Sequence, residues 1–563
     1  MKLLEVNNLS LSFISKLGEK QVLKNVSFTL NKSKTLGIVG ESGSGKSLTA
    51  LSIINLLPKN AQINNGKIIY YSDNKEIDTL ILGSEELLKV RGRIISMIFQ
   101  EPMTSLNPSL KCGYQVLEII TNHTKISYKN ARKRVIELFK EVKLPNPDRI
   151  YNSYPHEISG GQKQRVMIAM AIALNPAILI ADEPTTALDV TVQKAILELL
   201  KEIQKNYQMS IIFISHDLGV ISQIADDVIV MYNGEIVESG KSQLVLLNPQ
   251  HPYTKGLLNC RPELNSSNRR LPVLADFIEP NEKLNKLKQI QKNKNKSFTE
   301  VILSVNHLDK YFISKRNFLG NSIQQQVAVK DLSFDVYQGE TLGLVGESGC
   351  GKTTLGRMIA QLLEKSSGSI DYKGKALNRL SNKALKLFRK NVQIIFQDPY
   401  SSLNPKLTVG DALTEPLKVH NLSNTKSGRR EKVFEMLKKV KLEPESYHKY
   451  PHEFSGGQRQ RIVIARALIL EPEFIICDES VSALDVSVQA EILNLLNDLK
   501  DEFRLTYIFI SHDLSVVKYM SDRILVMKNG ELVEINMSDE IYKSPASEYT
   551  KNLIKSIPVV KNS

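Results

Sequence analysis

Cysteine is scarce and scattered. The 563 residues contain four, Cys112, Cys260, Cys350 and Cys477, with no CxxC pair, which argues against a disulfide scaffold, a zinc site or an iron–sulfur cluster. Long apolar runs are missing too. No stretch approaches the ~18 residues that cross a bilayer, so the chain is not expected to span a membrane itself. The N-terminus breaks its apolar run at Glu5, unlike a secretory leader, and the expected compartment is the cytoplasm. An excess of acid is lacking as well: Lys and Arg outnumber Asp and Glu by 74 to 60, a net charge of +14. Such a balance suits nucleic acid, a ribosome or anionic lipid. However, Lys is spread along the whole chain beside abundant Asn and Ile, and a general sequence bias is the preferred reading. Only residues 281–296 concentrate it, with six Lys against Glu282, as a solvated linker does.

What the chain does contain is a glycine-rich loop used twice. Gly40, Glu41, Ser42, Gly43, Ser44, Gly45, Lys46 and Ser47 follow the apolar run 35–39 and lead into the apolar stretch 48–57. This is strand, loop, helix. The glycines let successive N–H groups turn inward, and the helix N-terminus adds its positive dipole end, so a triphosphate is the natural guest. Lys46 is placed to reach the β- and γ-phosphates and Ser47 to hold Mg2+. Gly346, Glu347, Ser348, Gly349, Cys350, Gly351, Lys352 and Thr353 repeat the pattern after residues 341–345. A chance glycine turn explains one copy but not two.

Every other pattern is doubled in the same order. Residues 2–35 alternate apolar and polar positions, as half-buried strands of an antiparallel flap do. Phe13, and Phe312 in the second half, are either ordinary core aromatics or the π face that holds a base. The apolar runs 94–99 and 392–396 end at Gln100 and Gln397, whose side-chain oxygens can reach Mg2+ and the attacking water. The extra polar residues around Tyr71 to Gly83 read as a surface insertion of the first half. Val135, Leu138, Phe139 and Val142, then Val433, Met436, Leu437 and Val440, have the spacing of one helical face, which places a helical subdomain in each half. Ser159, Gly160, Gly161 and Gln162, matched by Ser455, Gly456, Gly457 and Gln458, offer a capped helix N-terminus as a second anion site. Short apolar runs then end in Asp182-Glu183 and Asp478-Glu479, at the strand ends where α/β sheets place ligands. Asp182 and Asp478 are expected to support Mg2+, Glu183 and Glu479 to polarise the attacking water. Two further apolar strands lead to His216 and His512. Gln100 and Gln397 are 297 residues apart, and the serines, glutamates and histidines 296, so the halves are duplicates in near-constant register. His156 and His452, each before a Ser-Gly-Gly run, are read as loop-shaping rather than chemical.

These motifs resemble those of the ATP-binding-cassette (ABC) ATPases over nearly the whole length. The resemblance implies an α/β fold of two tandem P-loop (RecA-like) ABC nucleotide-binding domains, each with an antiparallel β flap and a helical subdomain. Domain one is expected at residues 1–255, a Lys/Asn-rich linker at 256–300 and domain two at 301–563. Carried over, 40–47 and 346–353 correspond to Walker A, and Asp182-Glu183 and Asp478-Glu479 to the end of Walker B. Gln100 and Gln397 are similar to Q-loop glutamines, 159–162 and 455–458 to the signature, Asp189 and Asp485 to the D-loop, His216 and His512 to switch histidines. Catalysis then falls to Glu183, His216, Gln100, Glu479, His512 and Gln397, with ATP and Mg2+ as cofactors. Two ATP sites are implied, each joining the Walker A of one half to the signature of the other.

The run Gln397 to Pro405 and His251-Pro-Tyr-Thr-Lys-Gly-Leu-Leu258 narrow the resemblance to the oligopeptide and dipeptide importers in fused two-cassette form, including microcin C and glutathione relatives. Ser480 departs from the proline usual after the catalytic Glu. The importer resemblance implies two membrane permease subunits and an extracytoplasmic solute-binding protein as partners, no nucleic acid, and a peripheral position on the cytoplasmic face of the inner membrane. Peptides are the expected cargo, with glutathione, microcin-like conjugates or nickel as alternatives. A ribosome-acting cytoplasmic ABC protein without a membrane partner suits the positive charge, but such chains usually place a long basic helical linker between the cassettes, and here the Lys block has Asn-rich breaks and weak periodicity. DNA-repair relatives need zinc cysteines or a long coiled coil, and the sequence shows neither.

Overall fold

The alternation over residues 2–35 forms two long antiparallel strands, Lys2–Ser15 and Gly18–Asn31, in a computed structural model of the chain. Their register sets Leu4 opposite Leu30 and Val6 opposite Phe28, so the apolar face of both strands is buried together. Strand Ala61–Ser72 joins the other edge of Lys2–Ser15 and turns back into Lys75–Asp78. The corresponding return strand in the second half is only Lys375–Ala376, so the extra polar residues of the first half lengthen a surface hairpin. The structure describes residues 1–16, 18–72, 75–100, 105–186, 188–262, 264, 268–279, 298–316, 322–378, 380–423, 425–482 and 484–557. The basic block at 281–296 and the first residues after Gln100 lie outside them.

The chain divides into a first unit, Met1–Leu258, and a second, Asn259–Ile557. In the first, a six-stranded sheet runs Glu235–Lys241, Asp227–Tyr232, Thr35–Val39, Ser210–Ser215, Ile178–Asp182, Ile95–Ile98. All neighbours are parallel except the first pair. Thr35–Val39, Ile178–Asp182 and Ser210–Ser215 are buried at every residue, which is why they read as continuous apolar runs rather than alternating ones. The second unit repeats the order with Val392–Ile395, Phe474–Asp478, Thr506–Ile510, Thr341–Val345, Arg523–Lys528 and Glu531–Met537. Among the described residues no helix is long and apolar enough to cross a membrane.

Each unit carries the expected helical subdomain. Helix Tyr128–Glu141 starts at Ser127, whose hydroxyl accepts the Asn130 N–H, and buries Val135, Leu138 and Phe139, with Val142 just beyond its end. Thr425 caps Lys426–Lys439 in the same way, over Val433, Met436, Leu437 and Val440. The four cysteines are all buried; burial pushes the Cys112 thiol up to about 11 and Cys477 to about 12, so neither is a ready nucleophile.

Part of the segment expected as linker is folded. Of its described residues, 259–262, 264 and 268–279 belong to the second unit, where Cys260 and Leu271 enter the core. Asn494, itself buried, donates to the Leu271 carbonyl and accepts the Leu271 N–H, both at 2.9 Å. Tyr519 donates its hydroxyl to the Arg269 carbonyl at 2.7 Å, Arg269 pairs with Asp501, and Arg270 faces Asp498 at 3.6 Å. At the positions of Asn494 and Tyr519 the first half has Glu198 and Gln223. The surface that receives this strap is therefore written into the second half alone.

Candidate functional site

The parallel register brings the predicted residues to one edge of each sheet. Ile98 lies opposite Ala181 and Asp182 opposite Ile214, so the residues just past these strand ends, Gln100, Glu183 and His216, converge. Gln100 donates its amide to Glu183 Oε2 at 3.2 Å, and His216 Nδ1 approaches the same oxygen at 3.2 Å. In the second unit Gln397 donates to Glu479 Oε2 at 2.7 Å and His512 Nδ1 lies 3.6 Å from it. Both glutamates sit in the left-handed region, φ 47° and 50°, a conformation that costs a non-glycine residue energy and recurs at functional sites. Each is held there by its N–H, donated to Ile214 or Ile510 at 3.0 Å.

The phosphate loop lies beside this cluster. Gly45 has φ 105° at the start of helix Lys46–Ile53, and a Cβ there would stand 2.5 Å from Leu23 Cδ2; only glycine serves. Lys46, buried to 5% exposure, sets its ammonium on the carbonyls of Gly40 and Glu41 at 2.7 and 2.8 Å. Lys352 repeats this on Gly346 and Glu347 at 2.7 and 2.9 Å. Ser47 donates to Asp182 Oδ1 at 3.2 Å, and Thr353 to Asp478 Oδ1 at 3.0 Å. Each pair is a set of hard oxygen donors beside a phosphate loop, which fits a small divalent cation.

Electrostatics separates the adjacent carboxylates. Burial pushes Asp182 up to about 6, the Ser47 bond offsetting only part of it, and raises Asp478 likewise. A buried carboxyl so disfavoured as an anion gains from a cation beside it. For Glu183 burial is again the largest influence, but the bond and charge of His216, the Thr186 hydroxyl and Lys46 together outweigh it and hold the carboxyl down at about 2. Glu479 is lowered on the same balance, burial against the His512 bond and charge and Lys352.

The signature serines cap helices. Ser159 accepts the Gln162 N–H at Oγ and donates its own N–H to Gln162 Oε1, a reciprocal box that Ser455 and Gln458 reproduce. Phe13, half-buried, and Phe312, 41% exposed, lie on the antiparallel sheets, a different layer from the strand ends bearing the carboxylates. His156 and His452 stack on Tyr154 and Tyr450 in short turns before the signature, a loop-shaping placement.

Residues 23–186 and 329–482 match the ABC transporter family, and residues 237–291 and 533–563 the oligopeptide/dipeptide transporter C-terminal region. This chain belongs to the ABC transporter family. It is 44% identical to the glutathione import ATP-binding protein GsiA of Escherichia coli K12 over 567 residues, covering 100% of this chain and 90% of that protein. Against GsiA of Pectobacterium atrosepticum the identity is 42% over 561 residues, 99% of this chain and 90% of the relative. A solved ABC transporter subunit, cbiO1 of Clostridium perfringens, is 28% identical, with a TM-score of 0.38, over 44% of this chain and 92% of its own. The chain is an ATPase of this family, built of two tandem ABC cassettes.

Two parts of the ATPase site were not singled out from the sequence. Thr186 donates its hydroxyl to Glu183 Oε2 at 2.9 Å, whereas Ser482, at the same place in the second cassette, donates to the Glu479 backbone carbonyl. Tyr253 and Tyr549 reach the phosphate loops: their hydroxyls accept the N–H of Glu41 at 2.9 Å and of Glu347 at 3.2 Å. The motif His251-Pro-Tyr-Thr was visible, but only as a likeness.

Proposed function

We propose that this ABC ATPase is the energy-coupling subunit of a bacterial importer for small peptides, glutathione among them. It would act with two membrane permease chains and an extracytoplasmic solute-binding protein, at the cytoplasmic face of the inner membrane. The observation that carries the ATPase half of this reading is the doubled cluster in which one Gln, one Glu and one His meet beside a loop lysine. The importer half rests on the oligopeptide/dipeptide region present after both cassettes and on relatives named for glutathione import.

In this reading Glu183 and Glu479 stay ionised and, with Gln100, His216 and Thr186 fixing the first carboxylate, orient a water and accept hydrogen bonds from it. Lys46 and Lys352 exchange loop carbonyls for phosphate oxygens. Ser47 with Asp182, and Thr353 with Asp478, would hold Mg2+, and Gln100 and Gln397 adjoin them; bound Mg2+ would neutralise developing phosphate charge. The signature amides at 159–162 and 455–458 give further anion contacts, and Phe13 and Phe312 a π face for the base. The test is uptake of labelled glutathione and di- and tripeptides by a deletion strain carrying wild type or Lys46→Ala. Restoration by wild type alone is expected. Uptake unaffected by the deletion would remove the cargo class.

A further inference from the structure

The region that follows each cassette has no part in the chemistry so far, yet it touches the phosphate loop in both. Tyr253 stands on helix Pro252–Asn259, fully buried, with its ring 4.3 Å from that of Tyr232. Its hydroxyl takes the Glu41 N–H at 2.9 Å. Tyr549, on helix Glu548–Lys555, takes the Glu347 N–H at 3.2 Å, and Lys528 lies 4.8 Å from its ring centre.

The bonded amide belongs to a particular peptide unit. In a trans peptide the N–H and C=O point to opposite sides. The N–H of the Gly40–Glu41 unit points to Tyr253, and its carbonyl, that of Gly40, receives the Lys46 ammonium at 2.7 Å. Tyrosine and lysine thus grip one peptide plane from its two sides. The second cassette repeats the arrangement with Tyr549, the Gly346–Glu347 unit and Lys352 at 2.7 Å. Gly40 and Gly346 have φ of 153° and 152°, a conformation that glycine, having no Cβ, adopts at little cost.

We infer that Tyr253 and Tyr549 are positioning residues for the phosphate loop, each hydroxyl fixing the peptide plane that sets the loop lysine and the inward direction of the following amides. The role deepens the reading of 40–47 and 346–353 as nucleotide loops and rests on it. It also gives the oligopeptide/dipeptide region a purpose inside the cassette: it braces the floor of the ATP site from behind.

The test uses the full chain with Tyr253→Phe, Tyr549→Phe and both together. The ring stays, so packing is retained and the hydroxyl that accepts the loop amide is lost. A lost neutral hydrogen bond predicts a rise in KM for ATP of about fivefold for Tyr253→Phe, with kcat changed less than about twofold, and a smaller rise for Tyr549→Phe, whose bond is longer. Amide exchange over residues 40–46 should quicken in Tyr253→Phe and over 346–352 in Tyr549→Phe. Unchanged KM and exchange overturn the inference, as does lowered thermal stability with unchanged KM, which marks a purely structural tyrosine. Lys46→Ala, measured for ATP binding alongside, separates the two readings: if it binds like wild type, the loop assignment fails whatever the tyrosines do.

Discussion

Adding one methyl group at Gly457 should uncouple the signature helix from its neighbour. A Cβ there would stand 2.3 Å from Val488 Cγ1, while at Gly161 it would stand 2.9 Å from Val192 Cγ1. Ordinary contact begins near 3.4 Å, so the first overlap exceeds an ångström and the second is half that. Val488 lies near the start of helix Val486–Phe503, where a valine has one strongly preferred rotamer and cannot swing its methyl aside cheaply. Overpacking of this kind costs about 1–3 kcal/mol, and alanine returns up to about 1 kcal/mol through helix propensity. Gly161→Ala should therefore come out near neutral and Gly457→Ala destabilising by about 1–2 kcal/mol, a fall in Tm of roughly 2–3 °C for a unit of about 300 residues. Val488→Ala added to Gly457→Ala removes the struck methyl, and a thermal-unfolding cycle should show a coupling of about 1–2 kcal/mol. ATP turnover should follow the same order, since Asp485 precedes that helix. A Gly161→Ala protein less stable than Gly457→Ala, or a cycle without coupling, would refute the reasoning.

Other substitutions probe the cluster and the strap. Glu183→Gln and Glu479→Gln should each depress steady-state ATP hydrolysis at least tenfold; full turnover in either variant ends the view that both sites work. Thr186→Val removes a donor from the Glu183 carboxylate while Ser482→Ala removes one from a backbone carbonyl. The former should cost more kcat, and equal losses would discount the threonine bond. Asn494→Leu leaves the N–H and C=O of Leu271 without their partner, a loss of about 1–3 kcal/mol. Chemical denaturation of the full chain should show it in the second unit, and an unchanged midpoint would mean the strap contributes nothing.

The fold was legible because duplication doubles every signal. A run such as 178–182 reads as a buried strand, and its copy at 474–478 settles the period. The site was legible where chemistry needs fixed types at strand ends: Gln100, Glu183 and His216, each following an apolar strand, come together in the fold. The missing parts depend on tertiary geometry. No local pattern tells that Tyr253, 212 residues after Glu41, places a hydroxyl on its amide. Nor does spacing distinguish Thr186 from Ser482, whose hydroxyls differ only in which oxygen of the glutamate they reach. The composition of 256–300 suggested a tether, and composition cannot see that Asn494 offers Leu271 a donor and an acceptor at the right separation.

That last pairing bears on how the two halves can be handled as separate molecules. A second half begun near residue 300 would emerge with the Asn494 amide and the Tyr519 hydroxyl deprived of the backbone they serve, and with an open slot where Leu271 and Cys260 sit. Such a fragment invites self-association through that slot. Begun at Asn259, it carries its own cover. The practical scissors for this chain therefore fall near Leu258, at the boundary between the two units and one residue short of the end of helix Pro252–Asn259.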